Sequence, residues 1–411
     1  MKNIIIIFLF LLTYKSDYSD TGWAIVPSGT TDILYGVTFS DANNGFMVGE
    51  AGRILHTNNS GVTWLQQNLN LQYWLEGIAA VDNNNATAVG YQGKILHTTN
   101  GGLNWTNPYN NNSTYLYSVS FANMNTGVAT GYVGMILRTS DAGASWIQMA
   151  NPGVTLYCVK FINANTAIIT GSGGKMIQST DAGLTWVNLN SGTIDELYGI
   201  SFANNNTGWV VGSNGTILKT TTGGYYWLPQ TSNITTQLNS VYFVNANSGT
   251  AVGYNSAILH TTNGGQNWYT QSCPVSNITL YSVQFTNENT GICCGGNGTI
   301  LRTTTGGDPI GIRKIGSETP QRFYLSQNYP NPFNPATIIE YELKNKANIR
   351  LSVFDMVGNE VQTIINEGQN PGKYEVSFDG SNLSSGIYFY KLSASGDAGD
   401  FSQTKKMILI K

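Results

Sequence analysis

Residues 34–64 read LYGVTFSDANNGFMVGEAGRILHTNNSGVTW, and the tryptophan that ends the stretch, Trp64, belongs to an evenly spaced series. Trp23, Trp64, Trp105, Trp146, Trp186, Trp227 and Trp268 stand 41, 41, 41, 40, 41 and 41 residues apart, which marks an internal repeat. Each unit opens with an apolar run such as residues 34–39, turns through Asn into a second run at 45–49, crosses a Gly turn to a third at 53–57, and enters a short fourth at its tryptophan. Four short strands in about 41 residues are the pattern of a propeller blade. First strands begin at Leu34, Leu75, Leu116, Leu156, Leu197, Leu238 and Leu280, so seven blades are expected. The seventh unit has no fourth strand, because Asp308 and Pro309 stand where the next tryptophan belongs, whereas residues 22–26 carry the missing pattern one period before Trp64. The amino-terminal strand is therefore expected to complete the last blade and leave no open sheet edge.

The predicted fold is all-β: a seven-bladed β-propeller over residues 20–307, closed by the N-terminal strand, then a linker at 308–320 and a small C-terminal β-sandwich at 321–411. Charged residues make up only 10% of the 411, with a net charge of -3, which excludes a polybasic surface and a nucleic-acid partner. Residues 4–12 form an apolar run after Lys2, too short to span a bilayer and suited to a secretory signal peptide over residues 1–19. No later stretch reads as a membrane span, so the mature protein is expected to lack a transmembrane segment.

Stacking the repeats aligns Gly36, Gly77, Ser118, Cys158, Gly199, Ser240 and Ser282, small residues suited to a crowded hub. In the turn before the tryptophan, residues 179–186 and 139–146 resemble the Asp-box of sialidase-type propellers, through Asp181 and Asp141. The longer unit, Val-Gly-x-x-Gly-x-Ile-Leu-x-Thr followed by Gly-Gly-x-x-Trp, resembles the photosystem II stability and assembly factor family over residues 21–307. The resemblance implies a protein-binding scaffold. Asn58, Asn100, Asn263 and Thr222 occupy neighbouring places in other units, so the aspartates read as turn acceptors, and neither a metal nor a cofactor is expected.

After the linker, a proline-rich opening at 329–335, the turn Asp355-x-x-Gly358, the Tyr388 strand and a basic-apolar last strand closely resemble the sorting domain of type IX secretion substrates in Bacteroidetes. That resemblance implies the type IX machinery as a partner of residues 321–411, passage through the periplasm, and a secreted or cell-surface destination.

Three sets of residues are candidates for chemistry. The third-strand column His56, His97, Arg138, Gln178, Lys219, His260 and Arg302 is a solvated position on each blade or, read more sharply, a mildly basic surface for an acidic protein or an anionic glycan. The column before the hub holds Tyr35, Glu76, Tyr117, Tyr157, Tyr198, Asn239 and Tyr281, which either fill blade interfaces or line a recognition face. Glu76 is the one acid in it. A sialidase-like glycoside hydrolase would need converging arginines and paired acids; the propeller has only Arg53, Arg138 and Arg302, in different blades, and catalytic residues are not expected. The leading expectation is a non-enzymatic recognition scaffold, with the hydrolase and an adhesive or structural surface protein as alternatives.

Overall fold

The computed structural model describes residues 22–67, 72–110, 114–149, 151–307, 312–315, 319–380, 383–396 and 399–410. The expected signal peptide lies outside them. Among the described residues the chain is all-β, with nine four-stranded antiparallel sheets and only five single-turn 3-10 segments. Seven sheets follow the repeat. The first consists of Leu34–Phe39, Gly45–Gly49, Ile54–Thr57 and Leu65–Gln67, in that spatial order. The leucines that open the seven first strands are all fully buried. The second strands, such as Gly45–Gly49 and Gly208–Gly212, are buried at every residue, which is why they read as unbroken apolar runs without alternation.

In the seventh sheet the amino-terminal strand Ala24–Val26 pairs antiparallel with Ile300–Thr303, placing Ala24 opposite Arg302 and Val26 opposite Ile300. Trp23 meets Phe285 edge-on at 5.9 Å, as Trp64 meets Phe39 at 6.0 Å within the first sheet. Its indole N–H also donates to Gln271 Oε1 of the preceding sheet, at 3.0 Å.

Neighbouring sheets are joined along their first strands. Each of these strands is a sheet edge, and its free amide N–H groups need acceptors. Side-chain oxygens of the preceding sheet supply them: Ser118 and Ser120 accept from the amides of Val159 and Phe161 at 3.2 and 3.1 Å, Ser201 from Phe243 at 3.0 Å, and Ser240 from Val283 at 3.3 Å. The seventh sheet makes the same bonds to the first, with Ser282 accepting from Val37 at 3.4 Å and Gln284 from Phe39 at 3.0 Å. Gly77 is small for a definite reason: a Cβ there would stand 2.7 Å from the carbonyl oxygen of Tyr117 in the next sheet. All four cysteines are free thiols.

The two remaining sheets stack as the carboxy-terminal sandwich. One orders Ile312–Lys314, Gly372–Asp379, Ala336–Leu343 and Tyr324–Leu325; the other orders Glu360–Gln369, Ala347–Phe354, Gly386–Ser395 and Phe401–Leu409. Their facing side chains, among them Ile339, Tyr341, Leu351, Tyr390 and Met407, form one core. Ile312–Lys314 falls inside the stretch expected as linker and is instead an edge strand of the first of these sheets, with Arg313 opposite Glu375.

Two substitutions test this packing. Trp23→Ala removes a fully buried indole and its bond to Gln271, and is expected to cost about 3–5 kcal/mol and to uncover the edge at Ile300–Thr303, seen as a lowered denaturation midpoint with aggregation. Gly77→Ala overpacks the hub and is expected to cost about 1–3 kcal/mol in the same assay, whereas Gly29→Ala, where a Cβ meets nothing within 4 Å, pays only for its positive φ.

Candidate functional site

The site is built by an irregularity that every repeated first strand shares. In the first sheet Leu34 faces Gly49 and Gly36 faces Val48, so Tyr35 is an extra, bulged residue. The same slip leaves Glu76, Tyr117, Tyr157, Tyr198, Asn239 and Tyr281 unopposed in the other six. A bulge turns its extra side chain away from the pleat. All seven side chains line one cavity of about 330 Å³ where the first strands meet. Tyr35 and Tyr281 touch edge-on with centroids 4.9 Å apart, Tyr157 and Tyr198 lie at 4.8 Å, and Tyr117 and Tyr157 at 5.9 Å. The column thus both packs ring against ring between neighbouring sheets and lines the cavity.

The mouth is aromatic and acidic. Among the described residues that line the cavity Glu76 is the only charged one, and no Lys, Arg or His joins it. Burial, followed by repulsion from Glu50, raises the Glu76 carboxyl to about 7. The phenols of Tyr35, Tyr117 and Tyr281 are likewise pushed up by burial and by Glu76, so they stay protonated as hydrogen-bond donors. Glu50 accepts from the Ile33 amide at 3.1 Å, and Glu196 accepts from the Ser172 hydroxyl at 3.0 Å. Outside the cavity an exposed aromatic arc extends the surface: Trp74 lies 6.1 Å from Tyr91, Tyr91 4.8 Å from Tyr115, and Tyr115 6.2 Å from Tyr132. The sequence reading missed this arc. Its signal was available in the repeat, since Trp74 and Tyr115 directly precede first strands, while Tyr91, Tyr132 and Tyr254 directly follow the glycine that ends a second strand.

The third-strand column does not form a basic surface. Four of its seven side chains lie at the seams and reach the turn of the following sheet, while the three histidines contact residues of their own sheets. Arg138 donates to the carbonyl of Ala182 at 2.8 Å, Gln178 to Gly223 at 2.9 Å, Lys219 to Gly264 at 2.8 Å and Arg302 to Ser60 at 2.9 Å. His56 lies against Phe46 at 4.7 Å, His97 bonds Thr87 at 3.0 Å, and His260 is buried with its Nδ1 2.8 Å from the Thr250 hydroxyl. Burial lowers the pKa of all three histidines, that of His260 to about 4, so their charge is withheld at the pH where a free imidazole would gain it. Partly desolvated side-chain donors beside turn carbonyls bond to them instead of presenting their charge to solvent.

The arginines expected of a sialidase do not converge either, since Arg53 pairs with Asp32 and the other two lie at separate seams. Asp141 accepts from the Ser145 amide at 2.9 Å and the Thr139 hydroxyl at 2.7 Å; Asp181 makes the matching bonds to Thr185 and Ser179. In the first sheet this acceptor is Asn59 rather than Asn58, bonded to Thr63 and Thr57. These side chains hold the turn and are occupied in doing so. Among the described residues no group of three His, Cys, Asp or Glu could hold a metal ion. A larger hollow of about 870 Å³ beside the fifth sheet contains one carboxylate, Asp195, already bonded to Thr216 and Asn214.

With this geometry in place, comparisons with known proteins agree on the architecture. Residues 15–112, 66–196 and 184–276 match the family described as photosynthesis system II assembly factor YCF48, and residues 327–411 match a secretion system C-terminal sorting domain. Among solved structures, YCF48 bound to D1 peptide is 21% identical with a TM-score of 0.60, over 70% of this chain and 98% of that one. YCF48 from Cyanidioschyzon merolae is 18% identical with a TM-score of 0.58, over 68% and 98%. PorZ, a surface component of the type IX secretion system of Porphyromonas gingivalis, is 13% identical with a TM-score of 0.55, over 93% of this chain and 60% of that one. These likenesses establish a β-propeller fold. No curated protein sequence matches the chain. Among the described residues no helix is long and apolar enough to cross a membrane.

The titration of Glu76 is open to measurement. The folded protein holds this proton to about pH 7, while the unfolded chain releases it near the ordinary value of 4.5, so stability falls as pH rises through that window. Glu76→Gln is therefore expected to flatten the loss between pH 5 and pH 8 by about 1–3 kcal/mol, read from urea midpoints at the two pH values.

Proposed function

Because the chain belongs to the photosynthesis system II assembly factor YCF48 family and ends in a secretion sorting domain, we propose that it is an exported, non-catalytic propeller that grips an extended peptide. The grip lies at the mouth lined by Tyr35, Glu76, Tyr117, Tyr157, Tyr198 and Tyr281. The carrying observation is the shared bulge: seven independent strands deliver their extra residue to one cavity, and five of those residues are tyrosine. Tyrosine joins a large apolar face to a hydroxyl at little conformational cost, which suits binding more than bond-breaking. A peptide is favoured over other ligands because one relative of the same fold is described as bound to a peptide.

The ring is seven-bladed and closed by the amino-terminal strand. Support comes from the seam between seventh and first sheets, where Ser282 and Gln284 meet the amides of Val37 and Phe39, and Arg302 meets Ser60, as equivalent groups do elsewhere. Signal-directed entry to the periplasm and type IX passage across the outer membrane bring the propeller to the cell surface or the medium, with residues 321–411 as the part the machinery reads.

Random-peptide display against the full exported chain tests the recognition role, with a glycan array run in parallel. Selected peptides are expected to bind the wild type and to lose at least tenfold in affinity for a folded Tyr117→Ser/Tyr157→Ser variant. Peptides indifferent to that change, or glycans as the only ligands, would overturn the reading. For export, a chain truncated before Gln327 is expected to accumulate in the periplasm instead of reaching the surface; unchanged surface display would remove the sorting role.

A further inference from the structure

Glu76 stands apart from the other acids near the mouth. Glu50 accepts from the Ile33 amide, Glu196 accepts through Oε1 from the Ser172 hydroxyl in the turn of the preceding sheet, and Asp32 pairs with Arg53. Among the described residues the Glu76 carboxylate has no hydrogen-bond or ion-pair partner, although it lines a cavity shared with six other bulged residues. A partly desolvated carboxylate with no partner is costly, and a fold that keeps one in a cavity has a place for a counter-charge. The surrounding walls have the matching character. Tyr35 and Tyr281, in contact at 4.9 Å, and Tyr117 on the third sheet are the rings that feel the Glu76 charge, and Glu50 is the acid that does. Aromatic faces attract cations, most strongly where water is partly excluded. The axis is also polarised: the opposite mouth, of about 530 Å³, has Lys160 as the only charged residue among the described ones that line it.

We propose that the mouth takes the ammonium or guanidinium group of a Lys or Arg side chain in the bound peptide, with Glu76 as its counter-ion and Tyr35, Tyr117 and Tyr281 as its walls. This specificity rests on the mouth being the recognition site. Only the ionised carboxylate pairs with the cation, so binding strengthens with rising pH and each bound cation displaces a proton from Glu76. Among the groups facing Glu76, the tyrosines hold their protons in this range, and Glu50 adds negative charge that favours the same guest.

The test is calorimetric titration of the full-length chain at physiological ionic strength with hexalysine, hexaglutamate and a neutral Gly-Ser hexapeptide. Hexalysine is expected to bind, hexaglutamate is not, and affinity is expected to rise up to about tenfold from pH 6 to pH 8, following the ionisation of Glu76. Glu76→Gln should weaken hexalysine at least tenfold and remove the pH dependence, while Tyr35→Leu/Tyr281→Leu weakens it at both pH values. Hexalysine bound within twofold by Glu76→Gln, or not bound at all, overturns the cation site. If peptides from the display experiment then still require Tyr117 and Tyr157, the peptide-binding mouth stands without it. If they are indifferent to those tyrosines as well, both readings fall.

Discussion

The backbone amides of seven sheet edges must find acceptors around one axis, and the rest of the propeller follows from how they do so. An inner strand cannot pair its outward amides with another strand without closing the space at the centre, so single side-chain oxygens from the preceding sheet take that part. Ser118, Ser120, Ser201, Ser240, Ser282 and Gln284 each reach one residue of the next sheet. Such short bonds bring the inner strands close, and at Gly36 and Gly77 even a methyl group would press on the next strand's carbonyl. With that space filled, a bulky residue beside the small one has room only toward the axis. The bulge supplies the turn, and the cavity lined by five tyrosines, Asn239 and Glu76 is the consequence.

The same geometry sorts charge. Third-strand cations and amides lie behind the inner strands, within reach of the next sheet's turn carbonyls, and they are absorbed into the seams there. The aspartates of the turns are absorbed into the turns. What lines the mouth is a set of phenols and a carboxylate with no partner among the described residues, and beside it runs an exposed aromatic arc from Trp74 to Tyr132. A column that reads as basic and a column that reads as aromatic are thus separated, one inside the wall and one at its opening.

Much of the architecture was open to reading in the residues alone. A tryptophan every 41 residues, four apolar runs between, and Trp23 one period before Trp64 define the sheets and the place of Ala24–Val26. The bulge also left a trace. Leu34 and Val37 are apolar three residues apart, the spacing that one extra residue at Tyr35 produces when both fall on the same face. The destination of the third-strand column left no such trace, because it depends on carbonyls at Ala182, Gly264 and Ser60 that lie 44, 45 and 242 residues away in the chain.

The amino-acid sequence by itself determined the repeat, the two-domain order, the strand pattern and the address carried by the carboxy-terminal domain, since each is written in local spacing and short motifs. Only the tertiary structure decided which repeated positions line an open cavity. Hydrogen-bond partners and burial are set by neighbouring sheets, and those neighbours turned His260 and Arg138 into seam contacts while leaving Glu76 facing an open cavity.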